Sequence, residues 1–252
     1  MTENLPNSVS IVVSSYNQLE PLKLFLEAIQ RQTEQPIDVV ITDDGSTDGT
    51  LEWLDSVVAK FAFPLSYLTR EHGGYRLASL QNLGAKKANG HRLLFTNADV
   101  IHCPTSARGH SLLADNIIGA GIVRSIAEEG VAKVKADDVV KFSRLVALSV
   151  KHPSGKTNCI GQYDDARPRH VEAWGGNFSM AAAVFHQLEG FDEGFDGGWG
   201  GEEGHLVKRC QEQANCSVMG VGLSTGYHLC HALKDYHQQQ LGTIRYQKLA
   251  RT

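Results

Sequence analysis

The stretch Ile37-Asp-Val-Val-Ile-Thr-Asp-Asp-Gly-Ser-Thr-Asp-Gly-Thr50 sets the reading of the chain. Its first half is a short β-branched run, the pattern of a buried strand. The second half is polar and breaks at Gly45, and Leu51, Trp53, Leu54, Val57 and Val58 then recur at helical spacing. A strand that ends in acids and feeds a helix is one unit of a parallel α/β sheet.

The same unit recurs on both sides. Upstream, Ser8-Val-Ser-Ile-Val-Val-Ser14 reads as a strand, ends at Ser15-Tyr16-Asn17-Gln18, and precedes a helical stripe of Leu22, Leu24, Phe25, Ala28 and Ile29. Downstream come a strand at 65–68, a helix at 77–88, and the strand Arg92-Leu-Leu-Phe-Thr96 ending in Asn97-Ala98-Asp99. Ligands of such sheets sit at the carboxyl ends of the strands. The polar clusters after Ser14, Thr42 and Thr96 therefore fall in one crevice. The expected fold is α/β, a mainly parallel sheet flanked by helices in a single domain.

The rest is less regular. Ile117–Ile126 fits a strand, Asp137–Val150 has helical periodicity, and Pro153–Pro168 reads as loop. From Val171 the pattern sharpens into a strand at Gly175–Met180, a short helix at Ala181–Glu189, a strand at Ser217–Val221 and a terminal helix at Lys234–Ala250. Between these lies Asp196-Gly-Gly-Trp-Gly-Gly-Glu-Glu-Gly-His205, a glycine-rich loop that delivers Glu202 and Glu203 to a helix start. Acids suit a helix N-terminus on dipole grounds alone; so many glycines also suit a backbone that a ligand approaches.

Composition narrows the classes. The chain has 252 residues, 42% hydrophobic, with 24 basic against 28 acidic residues and a formal charge of −4. That balance gives no gross electrostatic case for nucleic acid, though a local basic groove stays open. No apolar run approaches the roughly 18 residues of a membrane span, and the N-terminus lacks the pattern of a signal peptide. Five scattered cysteines without Cys-x-x-Cys fit reduced thiols, hence a cytoplasmic protein. The Walker phosphate loop, the Gly-x-Gly-x-x-Gly dinucleotide turn and the Gly-x-Ser-x-Gly elbow are all missing.

Individual residues suggest chemistry with plain alternatives beside it. Asp43 and Asp44 suit a turn and cap, yet the second acid exceeds that need and fits the imide N–H of a uracil. Tyr16 fits the face of a base. Asp99 fits a divalent cation carrying a diphosphate. His228 and His231, three apart, meet at one metal if the segment is a turn or a helical step; a surface pair is the alternative.

Taken together, Ile11–Asn17, Val40–Ser46 and Asn82–Asp99 resemble the nucleotide-binding half of family 2 glycosyltransferases of the GT-A fold. Gly175–Ser179, Gly190–Glu193 and Gly198–Glu203 resemble the acceptor half of β-1,4-galactosyltransferases, polypeptide N-acetylgalactosaminyltransferases and bacterial chondroitin-type polymerases. The resemblance implies one domain with a nucleotide-sugar half (8–100), a variable region (101–170), an acceptor half (171–235) and a C-terminal helix (236–252). It places Ser14, Tyr16, Asn17, Asp43, Asp44, Arg76, Asn97, Ala98 and Asp99 on the donor. It implies that Asp99, His228 and His231 hold Mn2+ or Mg2+, and that Trp199, Gly200, Gly201 and Glu202 line the acceptor side. Glu202 would bind the acceptor and Glu203 act as catalytic base. The implied partners are a UDP-sugar and a hydroxyl acceptor, whether glycan, protein, small molecule or nucleic acid. Two departures stand out: Asn97 replaces the first acid of Asp-x-Asp, and Glu203 stands where Asp is usual. A non-catalytic nucleotide-sugar-binding module and a nucleotidyltransferase are the other readings; the second lacks its usual glycine-rich basic loop at Ser14–Gln18.

Overall fold

The computed structural model describes residues 7–126, 128–140, 142–149, 176–198 and 200–230. The first four units form as the sequence predicts: β1 (Val9–Ser15), α1 (Leu19–Gln30), β2 (Asp38–Asp43), α2 (Thr50–Val57), β3 (Leu65–Thr69), α3 (Leu77–Lys87) and β4 (Arg92–Asn97). They give the parallel run β3-β2-β1-β4, in which Ser14 is level with both Thr42 and Asn97. The polar strand ends thus line up along one rim.

β-Strand side chains alternate between faces, and the alternation in β1 builds two cores. Ile11 and Val13 join Val39, Ile41 and Leu94 beneath Leu22, Phe25, Leu26 and Ile29 of α1. Val12 goes to the opposite face with Leu93, Phe95 and Ala85. On that second face Phe95 meets Phe178, Phe185 and Phe191 at centroid distances of 5.1, 5.0 and 5.2 Å. These rings join the two halves of the chain in one apolar cluster, each pair adding about 0.5–1.5 kcal/mol beyond its buried area.

Past β4 the sheet turns mixed. The chain continues through β5 (Val100–His102), α4 (Ser106–Ser111), β6 (Ile117–Ile126), the short helices α5 (Glu128–Val131), α6 (Ala136–Val140) and α7 (Phe142–Leu148), then β7 (Phe178–Ala181), α8 (Ala182–Gln187), a 3-10 turn (Glu193–Phe195), α9 (Glu202–Ala214) and β8 (Ser217–Leu229). The full order is β3-β2-β1-β4-β7-β6-β8-β5. Four of the pairings are parallel and three, β4–β7, β6–β7 and β5–β8, are antiparallel.

Three details differ from the sequence reading. The periodicity at 137–150 is divided between α6 and α7. Val100–His102 is a strand, too short to show a period. β8 does not stop at Val221 but runs to Leu229 across an irregularity, with Gly121 opposite Val221 and Ile122 opposite Thr225. That break interrupts the alternation from which a strand is recognised. It also puts His228 on a strand, not in the turn or helical step that would bring it and His231 to one metal by local geometry. The expected loop at 153–168 and helix at 234–250 lie outside the described residues, and among the described residues no helix is long and apolar enough to cross a membrane.

Candidate active site

At the rim, Ser14 Oγ donates to Asn97 Oδ1 at 2.6 Å, and the Ala98 N–H donates to the Ser14 carbonyl at 3.0 Å. The predicted residues of β1 and β4 therefore meet directly. Asn17 holds a positive φ of 50° and ties the first loop to the second: its N–H donates to Ser46 Oγ, and its Oδ1 accepts from Thr47 N–H at 2.7 Å.

The paired aspartates divide their work. Asp43, fully buried, accepts from the N–H groups of Gly45 and Ser46 and from the Ser46 hydroxyl at 2.5 Å. Its carboxylate builds the turn, the plain structural role open to it. Asp44 instead faces a basic cluster. Its Oδ1 accepts from Arg70 Nε at 2.6 Å and Arg76 Nη2 at 3.0 Å, and its Oδ2 lies 2.9 Å from His72 Nδ1. Arg70 is itself held by Ser79 Oγ and the Arg76 carbonyl. Tyr16, 42% exposed, lies flat on the His72 ring at 4.1 Å and 8°.

Asp99 closes the rim. Gln18 Nε2 donates to its Oδ2 at 2.8 Å, and His228 Nε2 lies 3.4 Å from the same oxygen. The β5–β8 pairing sets this approach by placing Val100 opposite His228. Burial would lower the His228 imidazole, but the Asp99 hydrogen bond, then Cys230 and both charges, lift it to about 10. A carboxylate and an imidazole converging in this way form a donor set that Mn2+ accepts. Among the described residues no third His, Cys, Asp or Glu joins them. His231, the expected third ligand, lies outside the described residues, as does Trp199.

Across the crevice, Gly201 caps α9 at φ 98° and Gly200 precedes it at φ 84°, backbone that disfavours side chains. This turn buries both Glu202 and Glu203 at the N-terminus of α9, at 3% and 4% exposure. Burial raises the Glu202 carboxyl; its own backbone N–H and the Glu203 side chain offset part of that, and the charge of Asp196 adds to it.

Three residues that matter here, Arg70, His72 and Tyr75, are not in the sequence reading, and Asp196 enters it only as the start of the glycine-rich loop. Tyr75 sits between the two sides. Burial pushes its phenol well above the ordinary value, followed by the charges of Glu202, Glu203, Asp99 and Asp196. Its carbonyl accepts from Gly197 N–H at 2.6 Å, and Asp196 Oδ1 accepts from Ser79 N–H at 3.3 Å in the first turn of α3. The available signal was Gly73-Gly74-Tyr75-Arg76, an aromatic and a base placed after two glycines at a strand-to-helix crossing.

The chain resembles known proteins over most of its length. Residues 10–109 match the family model for glycosyl transferase family 2, and residues 159–232 match that described as the N-terminal domain of galactosyltransferase. Validoxylamine A glucosyltransferase of Streptomyces hygroscopicus subsp. limoneus is 30% identical over 230 residues, covering 80% of this chain and 47% of the relative. The chain thus spans about half the length of the curated relatives it matches. Among solved structures, S. aureus TarS 1-349 in complex with UDP-GlcNAc superposes at TM-score 0.67 with 14% identity, over 97% of this chain and 64% of that one. GalNAc-T7 with UDP, GalNAc and Mn2+ superposes at 0.64 with 18% identity, over 92% and 45%. The chain therefore has the GT-A fold, with family 2 glycosyltransferase sequence over residues 10–109 and galactosyltransferase-type sequence over residues 159–232.

Proposed function

We propose that this chain is an inverting, metal-dependent glycosyltransferase that moves a hexose or N-acetylhexosamine from a UDP-sugar to an acceptor hydroxyl. The observation that carries this is the hydrogen bond from the Gly197 N–H to the Tyr75 carbonyl, which ties the nucleotide side to the loop leading to the buried Glu202 and Glu203. A nucleotide rim and a buried acid pair enclose one crevice, as a two-substrate transfer requires. The name of the 30% identical glucosyltransferase supports a hexose as the group moved.

In this reading Tyr16 and Asp44 receive the uracil, and Arg76, with Asn97 and Ser14, lines the path to the diphosphate. Asp99 and His228, with His231, would hold Mn2+ or Mg2+, which when bound offsets charge on the departing diphosphate. Glu202 and Glu203 take different parts: Glu202, whose carboxyl burial raises, hydrogen-bonds the acceptor, and Glu203 takes the proton of the acceptor hydroxyl. As that oxygen bonds to the anomeric carbon, the bond from that carbon to the diphosphate breaks with its electron pair leaving on phosphate. One displacement from the opposite face inverts the centre. The glycines at 197, 198, 200 and 201 let the loop close and exclude water.

The test is a thermal-shift screen of UDP-, GDP- and TDP-sugars with and without Mn2+, since a ligand that binds the native state raises the melting point. The proposal expects stabilisation by a UDP-sugar that depends on the metal. Equal shifts from all three nucleotides, or shifts untouched by EDTA, contradict it.

A further inference from the structure

His72 makes both of the contacts that a base site offers a pyrimidine. A uracil presents a flat face and an imide N–H. The His72 ring presents its face to Tyr16 at 4.1 Å and 8°, and its Nδ1 to Asp44 Oδ2 at 2.9 Å. An ionised carboxylate only accepts, so Nδ1 carries the proton in that contact. The other Asp44 oxygen is already shared by Arg70 and Arg76. With about two lone-pair positions on each carboxylate oxygen, the N–H of a base has to be received at Oδ2, beside or in place of His72.

We infer that His72 is a built-in stand-in for the base, a plug that holds the uridine slot closed until a donor displaces it. This rests on the reading of Tyr16 and Asp44 as the base site given under Proposed function. The surroundings suit a side chain that leaves and returns. The backbone of His72 packs closely on Gly45, where a Cβ would come within 2.6 Å of His72 N and 2.8 Å of the Arg70 carbonyl. Gly45 also holds φ +79°, so the close packing depends on glycine there. The side chain is freer: it is 38% exposed. Rotation of His72 alone would clear the face of Tyr16, with Arg70 and Arg76 still on Asp44.

Such a plug acts as a filter. Apparent affinity falls by the fraction of molecules in which the slot is closed. A ligand recovers that loss only if it replaces both the stack and the hydrogen bond. A free diphosphate replaces neither, so its binding at the metal is independent of His72.

The experiment is calorimetric titration of UDP and of inorganic pyrophosphate, each with Mn2+, into the full chain as wild type, His72→Ala and His72→Phe. Removal of the plug tightens UDP binding in His72→Ala by roughly three- to tenfold, the size of one stacked pair released from competition, and leaves pyrophosphate unchanged. His72→Phe keeps a ring on Tyr16 but cannot donate to Asp44, and it falls between. Equal or weaker UDP binding in His72→Ala, with melting temperatures at the wild-type value, overturns the plug and makes His72 a wall of the site; the uridine reading then survives. UDP binding no better than pyrophosphate in every variant removes the base site, and the plug with it.

Discussion

The Tyr75 carbonyl accepts a hydrogen bond from the Gly197 N–H at 2.6 Å. This bond joins the crossing before α3, on the nucleotide side, to the glycine loop before α9, on the acceptor side. Beside it, Asp196 Oδ1 receives the Ser79 N–H in the first turn of α3. The two halves recognised separately in the sequence are thus fastened at the crevice itself.

Asp196→Ala removes the side-chain half of this fastening. A lost helix cap costs about 1 kcal/mol, read as a small fall in melting temperature. The loop is freed while the base site is untouched, so the KM for the acceptor rises and UDP affinity by calorimetry stays at the wild-type value. A change confined to UDP affinity would contradict the coupling.

Glu202 gives a pH prediction with a definite sign. Burial raises its folded carboxyl above the ordinary value of 4.5. Below that value both folded and unfolded chains hold the proton, and ionisation costs nothing. As pH rises through the window between 4.5 and the raised folded value, the unfolded chain ionises first and native stability falls. Glu202→Gln lacks this loss. The variant melts higher than wild type at pH 7, and the gap narrows as pH falls through that window towards 4.5; a gap independent of pH would show that the carboxyl is not disfavoured by its site.

Arg92 is only 1% exposed, and burial brings its guanidinium down to about 10. Its nitrogens donate to the carbonyls of Ile117, Leu113 and Ala114, pinning the segment that enters β6. A lysine cannot reproduce that fork. Arg92→Lys leaves buried carbonyls short of donors and lowers stability by about 2–4 kcal/mol in urea unfolding, with UDP affinity unchanged in the molecules that remain folded.

The parallel half was readable because each strand is an apolar run that ends abruptly in polar residues. Those ends form the rim on which the proposed donor site lies, so fold and proposed chemistry were written in the same places. What escaped did so for physical reasons. Val100–His102 is shorter than any period, and the irregularity at Val221–Thr225 hides the continuity of β8 and thereby the true setting of His228. Arg70, His72 and Tyr75 belong to a crossing whose shape follows from tertiary contacts with Gly45 and Gly197. Asp43 and Asp44, adjacent and alike in sequence, could be told apart only by their partners: a turn for one, a basic cluster for the other.

The central claim is that Glu203 takes the acceptor proton during transfer from a UDP-sugar. Its measurement is release of UDP from the stabilising UDP-sugar, with Mn2+ and acceptor, in wild type, Glu203→Gln and Glu203→Asp. Loss of a positioned base lowers turnover of the Gln variant by about 10²–10⁴-fold with UDP affinity unchanged, and Asp, one methylene shorter, restores part of it. Turnover of Glu203→Gln at the wild-type rate would contradict the account.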